Sequence, residues 1–238
     1  MPPFTLLIVA KAPVAGQAKT RLQPECTPVE AAELAAAALL DTLTAARAVP
    51  ARQRVVAMTG DLADAERGIE IARALEDGFT VIEQRGRTFA DRLVAAHLDA
   101  AHLDAAHHDG GQLGGGILPI VQIGMDTPQA TPEHLVAIAR EVARPGTALV
   151  APALDGGWWA LGLHDPRHAD VLAEVPMSEP HTGAATIAAL LHHRLRVRSG
   201  TPLRDVDYPA DIALVARYCA PGSEFARAAR ALAAGARR

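Results

Sequence analysis

Apolar residues fall into two patterns along the chain: short continuous runs, and longer Ala/Leu stretches at helical spacing. Phe4 to Ala10 is a continuous apolar run bounded by proline and lysine, the signature of a strand buried on both faces. Thr27, Pro28 and Glu30 then supply an N-cap, a first-position proline and a third-position glutamate, opening a helix to about Arg47. Arg54 to Thr59 predicts a second strand, Asp61 to Glu76 a helix, and Thr80 to Gln84 a third strand. Thr88 caps a helix running from Phe89 onward, and Leu118 to Gly124 predicts the fourth strand. A loop at "MDTPQATP" leads to a helix from Pro132 to Ala143, then a fifth strand from Thr147 to Ala151. Beyond "PALDGG", short strands are predicted at Trp158 to Leu163 and Arg196 to Ser199, and helices at Pro209 to Tyr218 and Ser223 to Ala234. Strands alternating with helices predict a three-layer α/β/α fold around a mostly parallel sheet. The break in rhythm near residue 155 predicts one strand that pairs differently, hence a mixed sheet.

Composition narrows the partners more than the fold. A chain of 238 residues suits one sizeable α/β domain or two small ones. Half the residues are hydrophobic but only 3% are aromatic, so the core must be built from Ala, Val, Leu and Ile. A net charge of −4 offers no global basic field, which argues against a nucleic-acid polymer as partner; anion binding must be local. Cys26 and Cys219 form no metal or redox spacing, and a reducing cytoplasm is the simplest context. The opening apolar run lacks a basic region before it and a small-residue cleavage site after it, and no segment reaches the ~20 apolar residues that span a bilayer. A homodimer is compatible with the chain, although no residue pattern points to one.

"AAHLD" at 95–99 repeats at 100–104 and, as "AAHHD", at 105–109, before the glycine-rich "GGQLGGG". A five-residue step turns each of His97, His102 and His107 by roughly 140° on a helix, so they do not share a metal-binding face. A solvated helix extension is expected, followed by a mobile glycine linker, the whole insertion covering about 95–116; His107, His108 and Asp109 could chelate adventitiously.

Four stretches carry candidate chemistry. "AKAPVAGQAKTRL" follows the first strand; it fails the Walker pattern because Ala18 occupies the second glycine position, and it fails G-x-G-x-x-G because Gly16 is its only glycine. What remains is Lys11, Lys19 and Arg21 around a flexible Gly16 at a strand end, either a phosphate loop or a solvated basic turn. "IGMDTPQATP" places Asp126 at the carboxyl end of a buried strand, where it could cap a turn or hold a divalent cation against phosphates. "APALDGGWWALGL" sets Asp155, Gly156 and Gly157 beside Trp158 and Trp159, the only tryptophans of the chain. The pair of glycines permits close approach of a ligand and a tryptophan can stack on a ring; alternatively this is a hairpin turn with one tryptophan in the core. In "LRDVDYPADI", Asp207 and Asp211 suit an ordinary helix entry, with Asp207 as N-cap, which leaves Asp205 unexplained.

Together these four stretches resemble a bacterial family of GT-A-type transferases in the nucleotide-diphospho-sugar transferase superfamily. The family is similar to the molybdenum-cofactor nucleotidyltransferases and to 2-phospholactate guanylyltransferase. The resemblance runs from residue 9 to 212 and implies a single Rossmann-like GT-A domain over residues 1–238. It implies that Ala10, Lys11, Ala12, Gly16, Lys19 and Arg21 take the nucleotide, with Lys19, Arg21 and Asp126 carrying the reaction. It further implies Mg²⁺ (or Mn²⁺) on Asp126 with Asp205 or Asp207, and an acceptor or sugar side formed by Asp155, Gly156, Gly157, Trp158 and Trp159. Gly124 departs from the D-x-D motif of glycosyltransferases, and Trp158-Trp159 from the family's usual Tyr-Tyr. The expected function is transfer from an NTP or NDP-sugar donor to a small-molecule acceptor that the sequence does not name. The alternative is a non-catalytic nucleotide-binding protein that keeps the fold.

Overall fold

The computed structural model describes residues 2–106 and 118–235. They form one seven-stranded sheet from β1 (Thr5–Lys11), β2 (Gln53–Thr59), β3 (Thr80–Glu83), β4 (Ile120–Ile123), β5 (Thr147–Pro152), β6 (Trp158–Leu163) and β7 (Arg196–Ser199). The helices are α1 (Pro28–Ala48), α2 (Gly68–Glu76), α3 (Phe89–Ala106), α4 (Pro132–Val142), α5 (Thr182–His192), α6 (Pro209–Ala216) and α7 (Glu224–Gly235).

The strand order is β3-β2-β1-β4-β6-β5-β7. β1, β2, β3 and β4 run parallel, while β6 pairs antiparallel with both β4 and β5, so the expected mixed sheet has its odd strand where the rhythm broke. Strand order reverses between β1 and β4: the chain builds outward from β1 to β3, then returns to β1's other side. Open α/β sheets form their ligand crevice at such a reversal, outside the carboxyl ends of the strands.

Both faces of the sheet are covered. Alternate β1 residues Leu6 and Ile8 pack with Leu39 and Leu43 of α1, Ile71 of α2 and Ile138 of α4. Leu7 and Val9 face the opposite way onto Leu93 of α3, Leu190 of α5 and Leu172, which lies between β6 and α5. Each fully buried leucine contributes about 1.5–3 kcal/mol, and alanine side chains let α1 lie close to the strands. A third cluster joins α1 to α6 and α7 through Leu34, Ile212 and Phe225. The aliphatic core is as composition required, yet Phe4 and Phe225 are its largest fully buried side chains.

α1 is capped as expected: Glu30 N–H donates to Thr27 Oγ1 at 3.2 Å, and Thr27 N–H to Glu30 Oε2 at 2.8 Å. Three expectations need correction. The helix predicted from Asp61 begins only at Gly68, because Asp61 Oδ1 captures Ala63 N–H at 2.8 Å and closes a short 3₁₀ turn first. Between β6 and β7, where no element was expected, 3₁₀ turns over Pro166–Glu174 precede α5. The third concerns the histidines.

His97 is not solvated; it is fully buried under α3, while His102 is exposed. His107, His108, Asp109 and the glycine run lie outside the described residues. The His97 Nδ1–H donates to Leu93 O at 2.9 Å and Nε2 is left without a partner. Burial pushes its pKa down to about 4, so the neutral ring is the folded form. The unfolded chain binds a proton near pH 6.5 that the folded chain refuses. Stability is therefore full above that pH and falls as the pH drops towards about 4. Between pH 7.5 and 4.5 the wild type is expected to lose about 2–3 kcal/mol more than His97→Leu, read from urea midpoints.

Candidate functional site

A cleft of about 490 Å³ opens at the reversal between β1 and β4. Three loops converge there from distant parts of the chain.

The first follows β1. Ala12 N–H donates to Thr59 O at 2.8 Å, extending the strand pairing, and the chain then turns so that Gln17 and Ala18 N–H both donate to Val14 O. Gly16 supplies the bend at φ +77°, and Lys19 stands in the left-handed region at φ 49°. A 3₁₀ turn over Thr20–Leu22 ends the loop, and buried Leu22 and Cys26 anchor it against α1. Lys11 is tied back to its own loop, its Nζ donating to Gln17 O at 3.0 Å.

The second loop follows β4 and carries Asp126; the third runs into α6 and carries Asp205 and Asp207. They are bound together by Val206 N–H donating to Asp126 O at 3.1 Å and by Gln129 Nε2 donating to Arg204 O at 2.7 Å. Asp207 is not the N-cap of α6. Tyr208 holds that position, and Asp211 Oδ2 accepts its N–H at 2.8 Å. The Asp207 side chain is thereby free to turn into the cleft.

Lys19 sits between two of these carboxylates, its Nζ 3.0 Å from Asp126 Oδ1 and 2.9 Å from Asp207 Oδ1. Arg21 Nη1 reaches the other oxygen of Asp207 at 3.2 Å. Burial works against the Lys19 charge, but Asp126 and Asp207 outweigh it and hold its pKa above the usual value. Burial likewise works against the Asp207 carboxylate, and Lys19 with Arg21 still draws it below the ordinary range.

Asp205 has no such relief. Its Oδ1 is buried without a hydrogen-bond partner. Burial, then the neighbouring Asp126 and Asp155, push its pKa up to about 8 despite Lys19. Among the described residues no three His, Cys, Asp or Glu side chains converge into a closed metal cage. Mg²⁺, however, takes only one or two protein carboxylates when phosphates and waters complete its shell. An orphaned carboxylate oxygen within an acidic group fits a hard divalent cation of this kind, and Asp126 and Asp205 are the residues that would hold it.

The opposite wall comes from the β5–β6 hairpin. Asp155 Oδ1 accepts Gly157 N–H at 2.8 Å, making a local turn. The close approach that the two glycines permit is made by the chain itself, since a Cβ on Gly156 would lie 1.8 Å from Pro180 O. Trp159 is buried with Nε1 donating to Thr201 O at 2.8 Å, whereas Trp158 is half-buried on the other face with Nε1 donating to Thr186 Oγ1 at 3.1 Å. Both line the cleft.

Residues that sequence reasoning did not single out complete the lining: Gln84, Phe89 and Arg92 after β3, and Met177 to Glu179 before α5. Gln84 Nε2 donates to both Ala10 O and Ala57 O, fastening the ends of β1 and β2. The signal for the first group was available, because the loop after β3 must share the carboxyl edge with the loop after β1. The second group lies in a stretch with no periodic pattern.

With its cleft over β1 and β4, the chain has the fold of the nucleotide-diphospho-sugar transferases, as its likeness to solved structures shows. Within that class the chain belongs to the family described as "Uncharacterized protein conserved in bacteria (DUF2064)", whose profile matches residues 42–179. A Desulfovibrio desulfuricans G20 protein described as a "putative nucleotide-diphospho-sugar transferase" superposes with a TM-score of 0.76 at 21% identity, covering 98% of this chain and 96% of that one. A cytidylyltransferase from Leptospira borgpetersenii serovar Hardjo-bovis gives a TM-score of 0.55 at 11% identity, covering 98% and 95%. A phosphoenolpyruvate guanylyltransferase from Sanguibacter keddieii is 44% identical over 57 residues, 24% of this chain. The chain spans only 20% of that relative's length. No helix among the described residues is long and apolar enough to cross a membrane.

Proposed function

We propose that the chain is one transferase domain that uses an activated nucleotide and a divalent cation, Mg²⁺ or Mn²⁺, and that the group moved is a nucleotidyl group. The observation that carries this reading is the convergence of Lys19 and Arg21 with Asp126, Asp205 and Asp207 at the strand-order reversal. Gly124 occupies the place of the first aspartate of D-x-D, which favours the nucleotidyl over the glycosyl version.

The loop from Ala10 to Arg21 would take the nucleotide, with Lys19 and Arg21 on its phosphates. An acceptor oxygen bonds to the α-phosphorus, the bond to the bridging oxygen breaks, and pyrophosphate leaves with its charge countered by Lys19 and Arg21. The cation, held by Asp126 and Asp205, would supply charge neutralisation along the phosphates. Asp155, Gly157, Trp158 and Trp159 form the wall that would face the acceptor. Since the Sanguibacter keddieii relative is named for guanylyl transfer to phosphoenolpyruvate, GTP with phosphoenolpyruvate is the first pair to assay.

Thermal shift tests the reading before an acceptor is known. At about 100 times Kd the correct nucleotide with Mg²⁺ adds about 2.7 kcal/mol, or a rise in melting temperature of about 5–10 °C for a chain of this size. A screen of NTPs and NDP-sugars in which none raises the melting temperature would remove the reading's support.

A further inference from the structure

Part of the charge that a divalent cation would neutralise is already met by Lys19. Its ammonium bridges Asp126 and Asp207 with a side chain only 11% exposed. The residue is held in the left-handed region, at φ 49° and ψ 41°, directly before the Thr20–Leu22 turn. Non-glycine residues in that conformation carry strain and concentrate at switch and ligand-clamp positions. The turn itself cannot drift, because Leu22 is fully buried. What can move is the flexible lysine stem.

An ammonium 3.0 Å from Asp126 Oδ1 repels a divalent cation brought to the same carboxylate. We propose that Lys19 is a placeholder cation: it holds Asp126 and Asp207 in the ligand-free protein and is surrendered to phosphate oxygens when metal and nucleotide arrive together. The inference rests on the transferase reading above and adds an order of events to it. A metal ion arriving alone meets Asp126 already engaged by Lys19 and binds weakly. Nucleotide phosphates offer Lys19 and Arg21 substitute partners and so release Asp126 for the metal. Metal and nucleotide therefore favour each other's binding by the same factor. Asp205, which neither Lys19 nor Arg21 touches, is the carboxylate left open for the metal's first contact.

The test is Mn²⁺ titrated without nucleotide, with the unbound ion followed by electron paramagnetic resonance. Lys19→Met removes the placeholder and is expected to bind Mn²⁺ about tenfold tighter than the wild type, within the range usual for coupled sites. Lys19→Arg keeps a cation on the carboxylates and should stay as weak as the wild type. In chelator the methionine variant should melt below the wild type, and Mn²⁺ should raise it more. If Lys19→Met does not fold, Lys19→Gln, whose amide can still donate to one carboxylate, carries the same expectation. A lysine-free variant that binds Mn²⁺ no tighter than the wild type overturns the inference, as does an arginine variant that matches the methionine one. Either result leaves the transferase reading standing on the nucleotide thermal shifts. A gain in Mn²⁺ affinity that survives added Asp126→Asn would place the ion elsewhere and overturn both.

Discussion

Asp126→Asn is expected to lower kcat/KM for transfer by at least about 100-fold, equivalent to about 2.7 kcal/mol of transition-state stabilisation. The amide keeps the shape of the carboxylate but loses the charge that a metal ligand needs. Folding should be little disturbed: Lys19 loses one partner at 3.0 Å and keeps Asp207 at 2.9 Å, and Asp205 loses a like-charged neighbour. A urea midpoint within roughly 1 kcal/mol of the wild type, measured on the same preparation, would separate lost chemistry from lost structure. In the proposed site Asp205 is already the partner of Asp126 on the cation, so it cannot take over the lost position. An Asp126→Asn enzyme that retained more than a tenth of its activity would show that the aspartate caps its turn and nothing more.

How much of this site could be seen in the sequence depends on the distance over which each property is determined. Strand positions and their carboxyl-end loops were legible because continuous apolar runs and capping residues are local signals. The placement of Lys19 and Asp126 at strand ends followed from the same signals. Their separation of 3.0 Å did not, because it depends on β4 inserting beside β1, a choice made by packing among residues more than a hundred positions apart. Asp207 illustrates the limit within a short segment. Asp-x-Pro before a helix matches an N-cap, yet Asp211 reaches back to cap the helix and frees Asp207 for Lys19 and Arg21. His97 illustrates another limit. Its repeat suggested a uniform solvated extension, but α3 has a buried face, and the first repeat puts its histidine there while the second does not.

Two glycines in the left-handed region also separate stability from ligand binding. Gly156 stands at φ +95°, and an added Cβ would lie 1.8 Å from Pro180 O, an atom of the main chain that cannot swing aside. Gly183 N–H donates to Gly156 O at 2.9 Å, so the turn is fastened to the start of α5. Gly156→Ala therefore incurs both left-handed strain and overpacking, together about 2–5 kcal/mol, read as a lowered urea midpoint. Gly16 has a similar φ of +77° but nothing within 4 Å of an added Cβ. Gly16→Ala should cost only about 1–2 kcal/mol of strain. In the nucleotide thermal-shift assay the order should reverse, since Gly16 shapes the loop that carries Lys19 and Arg21, whereas Gly156 shapes the wall next to Met177 and Glu179. Gly156→Ala is thus expected to lose stability while its folded fraction still binds nucleotide with Mg²⁺. Gly16→Ala is expected to keep most of its stability and to bind the nucleotide more weakly. Equal losses of nucleotide affinity in the two variants would mean that the cleft responds as one rigid body, and the loop after β1 would have no special claim on the phosphates.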